Sequence, residues 1–237
     1  MPQTTKVITT LLRDRTEEIV YIVDDEAAVR HALQNLIESE GLAETCSFAS
    51  AQEFLEACSP EMRGCILLDL SMPGLSGLEL QKELARRHVS LPIIFLTGHG
   101  SVPATAEAFK SGAYDFIEKP FDNEVLLECL QQALSLERQH RAEEGHRKDI
   151  LERYSRLSER EKQVLHYVVK GYGSKEIAKS LGISPRTIEI YRGNVMRKMK
   201  ADTLAELVAL TVNLVTPERL ASQEPTTLIT SKPQLAN

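Results

Sequence analysis

The stretch CILLDLSMPG, residues 65 to 74, joins a strand signal to a charged group. Four apolar residues lead directly into the carboxylate of Asp69, and the chain then turns at Met72, Pro73 and Gly74. Short apolar runs bounded by turn residues are typical of strands that are buried on both faces of a parallel sheet. Ligands of such sheets bind at the carboxyl ends of the strands, and Asp69 stands at that edge.

The same alternation continues over residues 17 to 137, where short apolar runs are followed by longer segments with helical spacing. Strands that alternate with helices predict a parallel sheet with helices on both faces. We expect a doubly wound α/β fold with the flavodoxin-like strand order 2-1-3-4-5. The predicted strands span residues 19–23, 42–48, 65–68, 92–97 and 114–118, and the predicted helices between them span 26–41, 50–58, 76–88 and 101–112.

Polar side chains follow four of these strands. Asp24 and Asp25 come after the first strand, Asp69 ends the third, Thr97 ends the fourth and Lys119 follows the fifth. In the expected strand order the first and third strands are neighbours, so the carboxylates meet where their repulsion requires a cation. Carboxylate oxygens at this density suit Mg²⁺, which keeps several waters and leaves positions for a phosphoryl group.

This set of residues predicts phosphoryl transfer. Asp69 is placed as a nucleophile toward a phosphoryl donor, with Mg²⁺ to neutralise the phosphoryl oxygens. Lys119 offers a cation to the product, and Thr97 offers a hydroxyl. A single acid at a strand end would more simply be a helix cap or a turn acceptor. The ordered arrival of all these groups after separate strands favours the chemical interpretation.

The segments IVDDE, LLDLSMPGLSGLEL and FLTGHGSVPATAEAFKSGAYDFIEKPF together resemble the receiver domain of two-component response regulators, over residues 17 to about 137. The resemblance implies that a sensor histidine kinase phosphorylates Asp69. It also implies that Asp24, Asp25 and the backbone carbonyl of Ser71 complete the Mg²⁺ site with Asp69.

Two further features are implied by the same resemblance. Thr97 and Phe116 would form a switch pair that moves on phosphorylation, and the peptide bond between Lys119 and Pro120 would be cis. Taken from the residues alone, Phe116 is equally a core aromatic. Pro120 is equally the start of a helix, because proline is favourable at the first helical position.

Charge is distributed unevenly along the chain. Residues 17 to 138 carry a net charge of -13, whereas residues 170 to 200 carry a net charge of +6. A basic segment beside an acidic domain predicts a contact with nucleic acid. A solvated helix face is the alternative explanation of the basic residues.

The basic segment lies in a stretch whose pattern is helical throughout. Ser158 and Glu161 have the spacing of a capping box, which predicts a helix start. Gly182 is placed to end a second helix, and Ser184 and Pro185 are placed to open a third as N-cap and first residue. A helix, a short break with glycine and another helix form the helix-turn-helix arrangement, although a plain helical bundle has a similar pattern.

The third helix of this stretch has two different faces. Ile188, Val195 and Met199 form an apolar stripe that we expect to be buried. The other face would meet the major groove of DNA, with its first residues near base edges and its basic residues near phosphates. That face carries Arg186, Thr187, Glu189, Gly193, Arg197 and Lys200.

The segment LSEREKQVLHYVVKGYGSKEIAKSLGISPRTIEIYRGNVMRKM is similar to the LuxR-type helix-turn-helix domain, over residues 156 to about 215. With its receiver-like part, the chain resembles the FixJ branch of the NarL/FixJ response regulators. The resemblance implies a homodimer, formed on phosphorylation, that activates transcription through double-stranded promoter DNA and RNA polymerase. It places base contacts on Thr187, Glu189, Ile190 and Gly193, and phosphate contacts on Lys175, Arg186, Arg192, Arg197 and Lys198.

The remaining features predict the setting of the protein. The sequence has neither a membrane-length apolar run nor a signal-peptide pattern, so we expect a cytoplasmic protein with no membrane partner. Four isolated cysteines indicate neither a disulfide framework nor a metal knuckle. The predicted organisation is a flexible tail (1–16), a receiver domain (17–137), a helical linker (138–155), a DNA-binding domain (156–216) and a disordered tail (217–237).

Two other functions compete with that of a phosphorylation-controlled regulator. Phosphatases of the haloacid dehalogenase type also use a strand-terminal Asp with Mg²⁺, but they require a second Asp two residues later, where this chain has Ser71. We therefore expect a regulator and not an enzyme. A phosphorylation-independent DNA-binding protein that uses its receiver only to dimerise is also consistent with the residues.

Overall fold

The structure is a computed structural model that describes residues 18–98 and 111–212. The helix predicted over residues 101–112 lies outside these ranges apart from its last two residues, and both predicted tails lie outside them too. No helix in the described ranges is long and apolar enough to cross a membrane. The chain divides into two compact units, Met1–Ala142 and Glu143–Asn237.

The first unit is built on a parallel sheet of five strands. The strand order is β2-β1-β3-β4-β5, as the sequence predicted. All four strand pairings are parallel, and β1 and β3 are neighbours, with Val23 opposite Leu68. The strands are β1 (Ile19–Val23), β2 (Glu44–Phe48), β3 (Gly64–Asp69), β4 (Ile93–Thr97) and β5 (Asp115–Glu118).

Every residue of β1, β3 and β4 is buried, which explains why their sequences are almost uninterrupted apolar runs. Successive side chains point to opposite faces, so Tyr21 and Phe95 belong to one core and Val20 and Ile94 to the other. Helices α2 and α3 cover the first core, and α1 and α4 cover the second. These helices are α1 (Ala27–Ser39), α2 (Ala51–Ala57), α3 (Gly77–Arg86) and α4 (Asn123–Ser155).

Helix α4 is 33 residues long and continues from the first unit into the second. The helical linker predicted over residues 138–155 is the second half of this helix. Residues 142–148 are exposed, but Ile150 and Tyr154 pack into the core of the second unit. The structural division therefore falls earlier than the predicted domain start at residue 156, because the last turns of α4 are amphipathic.

The second unit adds helices whose ends agree with the predicted signals. Ser158 and Glu161 form a reciprocal capping box. Gly182 ends a helix in the left-handed conformation with a φ of 67°, and the Ser184 side chain caps the next helix, which begins at Pro185. The helices are α5 (Glu159–Val169), α6 (Ser174–Leu181), α7 (Pro185–Met199) and α8 (Leu204–Val212).

Helix α7 is fixed to the second unit by an apolar stripe and by an ion pair. Ile188, Val195 and Met199 are buried, as predicted. Lys198 Nζ lies 2.7 Å from Glu161 Oε2 at the start of α5, and the Glu161 side chain is only 5% exposed. Burial alone would raise the pKa of the Glu161 carboxyl, but the hydrogen bonds from Lys198 and from the N-terminus of α5 hold it below its ordinary value.

Gly64, the first residue of β3, has a backbone conformation that only glycine adopts easily. Its φ is +113°, and a Cβ there would lie 1.9 Å from the carbonyl oxygen of Ile19. We expect Gly64→Ala to lower the free energy of unfolding by about 3 kcal/mol, because the paired strand must shift. Gly41→Ala is the control and should cost about 1 kcal/mol, the cost of a left-handed backbone. Its φ is +60° and a Cβ there meets no described atom within 4 Å.

Urea unfolding of both variants measures this difference. Equal losses in the two variants would contradict a steric clash at Gly64.

The pair between Lys198 and Glu161 should make the stability of the second unit depend on pH. We expect Lys198→Met to lower its free energy of unfolding by about 2 kcal/mol near neutral pH, because a buried carboxylate loses its cation. The folded pKa of Glu161 lies below its unfolded value. The contribution of the pair is therefore present above the unfolded pKa and is lost as the pH falls through the folded pKa.

Wild type and Lys198→Met should thus converge in stability as the pH is lowered from neutrality toward acid. Urea unfolding followed through NMR signals of α7 measures the gap. Lys179→Met, a change at an exposed lysine of α6, is the matched control and should change stability little at any pH. A gap that stays constant with pH would show that Lys198 acts through packing and not through Glu161.

Candidate functional site

Three charged side chains meet at the carboxyl edge of the sheet. Lys119 Nζ lies 2.7 Å from Asp24 Oδ2 and 2.9 Å from Asp69 Oδ1. Asp24 is 1% exposed and Asp69 is 6% exposed. Two buried carboxylates that share one partner repel each other unless a cation lies between them, and the ammonium of Lys119 is that cation.

Each oxygen of the two carboxylates accepts a hydrogen bond. Besides the bonds from Lys119, Asp24 Oδ1 accepts from the Glu26 N–H at 2.8 Å and Asp69 Oδ2 accepts from the Ser71 N–H at 3.0 Å. Burial alone would lower the pKa of Lys119, but its hydrogen bonds to the two carboxylates raise that pKa above its ordinary value. The amine is therefore charged at neutral pH.

The other residues predicted for this edge lie on β4, β5 and the loop after β5. Thr97 ends β4, is 2% exposed, and its carbonyl accepts a hydrogen bond from the Lys119 N–H at 2.7 Å. The ring of Phe116 stacks on Phe95 with 5.3 Å between centroids. The peptide bond between Lys119 and Pro120 is cis. The sheet thus brings Thr97 and Lys119 to the same edge as the acids.

The donor set at this edge fits a divalent magnesium ion. In the part of the chain that the structure describes, no three His, Cys, Asp or Glu side chains converge into a metal cluster by themselves. Asp24 and Asp69 are gathered around Lys119, and Asp25 is exposed directly after Asp24. These three carboxylates and one ammonium have a formal net charge of -2. Hard oxygen donors with this charge are the ligands that Mg²⁺ prefers.

Two residues of this site were not identified from the sequence. Arg30 Nη1 donates to the backbone carbonyls of Asp24 at 2.7 Å and Asp25 at 3.0 Å. A Cβ on Gly77 would lie 2.5 Å from the carbonyl oxygen of Asp69, so α3 begins directly against the strand end. The available signals were an arginine one turn into the helix after IVDDE and a glycine directly after a serine cap.

Helix α7 presents an exposed row of residues spaced by three or four positions. Arg186, Ile190, Gly193 and Arg197 form this row, opposite the buried stripe. Ile190 is 59% exposed, an uncommon position for a large apolar side chain. We refer to these four residues as the exposed row of α7.

Other predicted DNA contacts lie on the flank of α7. Glu189 and Arg192, together with Gly193 of the exposed row, border a cavity of about 280 Å³ between α5, α7 and α8. Glu189 is exposed beside the row, on the side of α7 that borders this cavity. The hydroxyls of Thr187 and Ser184 share a hydrogen bond of 2.8 Å at the start of the helix.

The lysines predicted to contact phosphate differ in their surroundings. Lys175 is exposed in the first turn of α6. Lys198 is engaged with Glu161 and also donates to the Arg156 carbonyl at 3.3 Å. Arg153 of α4, which was not among the predicted residues, also holds α7. It donates a hydrogen bond at 3.2 Å to the carbonyl of Met199, the last residue of α7. It was missed because the predicted domain began after it.

Comparison with protein families gives two matches in sequence order. Residues 20–131 match the family described as "Response regulator receiver domain". Residues 155–211 match the family described as "Bacterial regulatory proteins, luxR family". The first match contains Asp24, Asp25, Asp69 and Lys119. The second match contains the whole of α7.

Similar proteins share both parts. The chain is 49% identical over 191 residues to the transcriptional regulatory protein FixJ of Azorhizobium caulinodans, covering 81% of this chain and 90% of that protein. It is 42% identical over 196 residues to the response regulator protein TodT of Pseudomonas putida, covering 83% and 86%. Among solved structures, the response regulator StyR has 39% identity and a TM-score of 0.77, covering 84% of this chain and 100% of that one. With both domains matched over most of these relatives, the chain belongs to the NarL/FixJ family of DNA-binding transcriptional response regulators.

Proposed function

We propose that a sensor histidine kinase phosphorylates Asp69 with the help of Mg²⁺, and that phosphorylation promotes dimerisation and transcription activation at target promoters. The observation that carries the proposal is the buried pair of Asp24 and Asp69 around Lys119 at the ligand-binding edge of the sheet. Family membership supports the kinase and the DNA as partners. Both partners imply that the protein works in the bacterial cytoplasm.

The proposed reaction uses the carboxylate of Asp69 as the nucleophile. One of its oxygens attacks the phosphorus, and the bond between phosphorus and the kinase histidine nitrogen breaks, with the electron pair leaving on that nitrogen. Lys119 already contacts Asp69, so its ammonium can bind an oxygen of the transferred phosphoryl group. The hydroxyl of Thr97 donates a hydrogen bond to another oxygen of the same group.

The proposed metal ligands are the carboxylates of Asp24, Asp25 and Asp69 and the backbone carbonyl of Ser71. When bound, Mg²⁺ supplies positive charge for the phosphoryl oxygens in the transition state. The protein's own contribution is to hold the carboxylates in place, as the hydrogen bonds from Glu26 and Ser71 do for the two buried ones.

Thr97 and Phe116 are the proposed switch pair. Thr97 is buried at the end of β4, and Phe116 lies on the neighbouring strand β5. The ring of Phe116 stacks on Phe95 of β4. Once Thr97 turns toward a phosphoryl oxygen, the packing next to Phe116 changes. Phosphorylation thereby favours a second arrangement of this surface, which we propose to be the one that dimerises.

The exposed row of α7 is the proposed DNA-reading surface. A symmetric dimer places two such helices in successive major grooves, which calls for paired half-sites, and bound dimers then act on RNA polymerase. We propose that Ile190 contacts a thymine methyl group, and that Lys198 serves first to hold α7 on α5. We propose base contacts by Thr187, Glu189, Ile190 and Gly193, and phosphate contacts by Lys175, Arg186, Arg192 and Arg197, with Lys198 near the same phosphates.

The phosphoacceptor is tested by Asp69→Asn. This variant should lose Mg²⁺-dependent labelling by acetyl phosphate, because an amide is not a nucleophile toward phosphorus, while the similar shape of Asn preserves the fold. Asp202→Asn, the same change at an exposed position of the second unit, should label like wild type. Intact mass spectrometry measures the labelling. If Asp69→Asn labels like wild type, the acceptor lies elsewhere.

The same samples test the dimer. Light scattering should give wild type roughly twice the monomer mass after treatment with acetyl phosphate and Mg²⁺, and Asp69→Asn the monomer mass. A labelled wild type that stays monomeric would contradict dimerisation on phosphorylation. Equal dimerisation of Asp69→Asn and wild type would support the phosphorylation-independent alternative.

Anchoring and base reading on α7 are separable by mutation. Arg197→Ala should weaken binding about equally on all DNA sequences and lower the salt slope by roughly 0.9, the contribution of one phosphate. Ile190→Ala should leave the salt slope unchanged and relax selection at one base pair by about 1 kcal/mol, through the loss of a methyl contact. Selection from a randomised DNA library at several salt concentrations measures both. An unchanged sequence preference in Ile190→Ala would remove that residue from the reading surface.

A further inference from the structure

Arg30 is half-buried on α1, outside the set of groups used in the proposed reaction. One nitrogen of its guanidinium, Nη1, donates to two successive backbone carbonyls, those of Asp24 at 2.7 Å and Asp25 at 3.0 Å. The arginine thus reaches back from the first turns of α1 to the turn that carries two of the proposed metal ligands.

The bond from Arg30 completes the fixation of Asp24. The N–H of Asp24 donates to the Phe48 carbonyl at 3.3 Å, and its two carboxylate oxygens accept from Glu26 and Lys119. Its carbonyl is the remaining backbone acceptor, and Arg30 occupies it. Every polar group of Asp24 therefore has a partner, and rotation of this residue would break several bonds at once.

The backbone of Asp25 is bound by the same arginine. Its side chain is exposed, and Arg30 holds its carbonyl. The peptide between Asp25 and Glu26 is held at both ends, because its N–H donates to Asp24 Oδ1 at 2.8 Å and its carbonyl accepts from Arg30. Arg30 is thus one of two groups that fix the peptide next to the Asp25 side chain.

We propose that Arg30 is a positioning residue for the divalent cation: by binding both carbonyls of the Asp24–Asp25 turn, it orients their carboxylates for Mg²⁺. The proposal rests on the proposed function, from which the Mg²⁺ site is taken. Groups that orient metal ligands typically change metal affinity by about 10- to 100-fold when they are removed.

Charge and position predict opposite effects of removing this arginine. A guanidinium beside a metal site repels the metal, so a purely electrostatic role predicts that Mg²⁺ binds more tightly once the charge is gone. A positioning role predicts weaker binding despite the loss of that repulsion. The sign of the change in affinity therefore distinguishes the two roles.

The experiment measures Mg²⁺ binding to the full chain by isothermal titration calorimetry. Arg30→Met, which removes both charge and hydrogen bonds, should raise the Mg²⁺ dissociation constant about tenfold. Labelling by acetyl phosphate should need correspondingly more Mg²⁺ but reach a rate within about twofold of wild type at saturation, because the reacting groups are unchanged. Arg86→Met removes an exposed arginine of α3, which is 78% exposed, and should leave the dissociation constant unchanged.

Arg30→Gln provides a second measurement if Arg30→Met does not fold, since it keeps a neutral donor, and it too should bind Mg²⁺ more weakly than wild type. Tighter or unchanged binding in a folded Arg30 variant would overturn the positioning role. A wild type that binds no Mg²⁺ would instead overturn the proposed function, and with it the site that Arg30 is said to support.

Discussion

The ammonium of Lys119 between the carboxylates of Asp24 and Asp69 is the interaction on which the chemistry of the first unit depends. Both acids are almost fully buried, and their ionised forms are costly to bury without a cation. Lys119 follows β5, Asp24 follows β1 and Asp69 ends β3, so one side chain connects the ends of three strands. The strands of the sheet are parallel, so these ends lie at one edge, and the order β2-β1-β3-β4-β5 makes β1 and β3 neighbours.

The same requirement makes the site suitable for the proposed function. A buried ion pair contributes little net stability, because the cost of removing its charges from water offsets their attraction. Asp24, Asp25, Asp69 and Lys119 have a formal net charge of -2, which suits a divalent cation, while Asp69 and the Lys119 amine stay in contact. The backbone N–H groups of Glu26 and Ser71 hold the carboxylates of Asp24 and Asp69 in place.

The second unit separates the basic residues of α7 into structural and exposed groups. Lys198 and Arg153 hold the end of the helix, the first through Glu161 and the second through the carbonyl of Met199. Arg186 and Arg197 are exposed at the two ends of the exposed row of α7. The helix can present this row to DNA because its opposite side and its last turn are fixed within the domain.

Much of the fold follows from local sequence signals. Buried strands such as CILLD are continuous apolar runs, and Ser158, Gly182 and Ser184 mark helix ends, because capping and burial patterns involve residues close together in the chain. The acidic edge was predictable as well, since strand ends of a parallel sheet meet at one edge once the order is known. Asp69 could be placed at this edge for this reason.

By itself, then, the sequence determined the strand and helix alternation, the helix caps and the candidate acids, all of which depend on short-range patterns. Only the tertiary structure decided which partners these residues have. Lys119 meets acids 95 and 50 residues away, and Lys198 meets Glu161 across 37 residues. It also decided that one helix, α4, extends from Asn123 to Ser155. Such contacts depend on how whole elements pack, and no local pattern of residues encodes that packing.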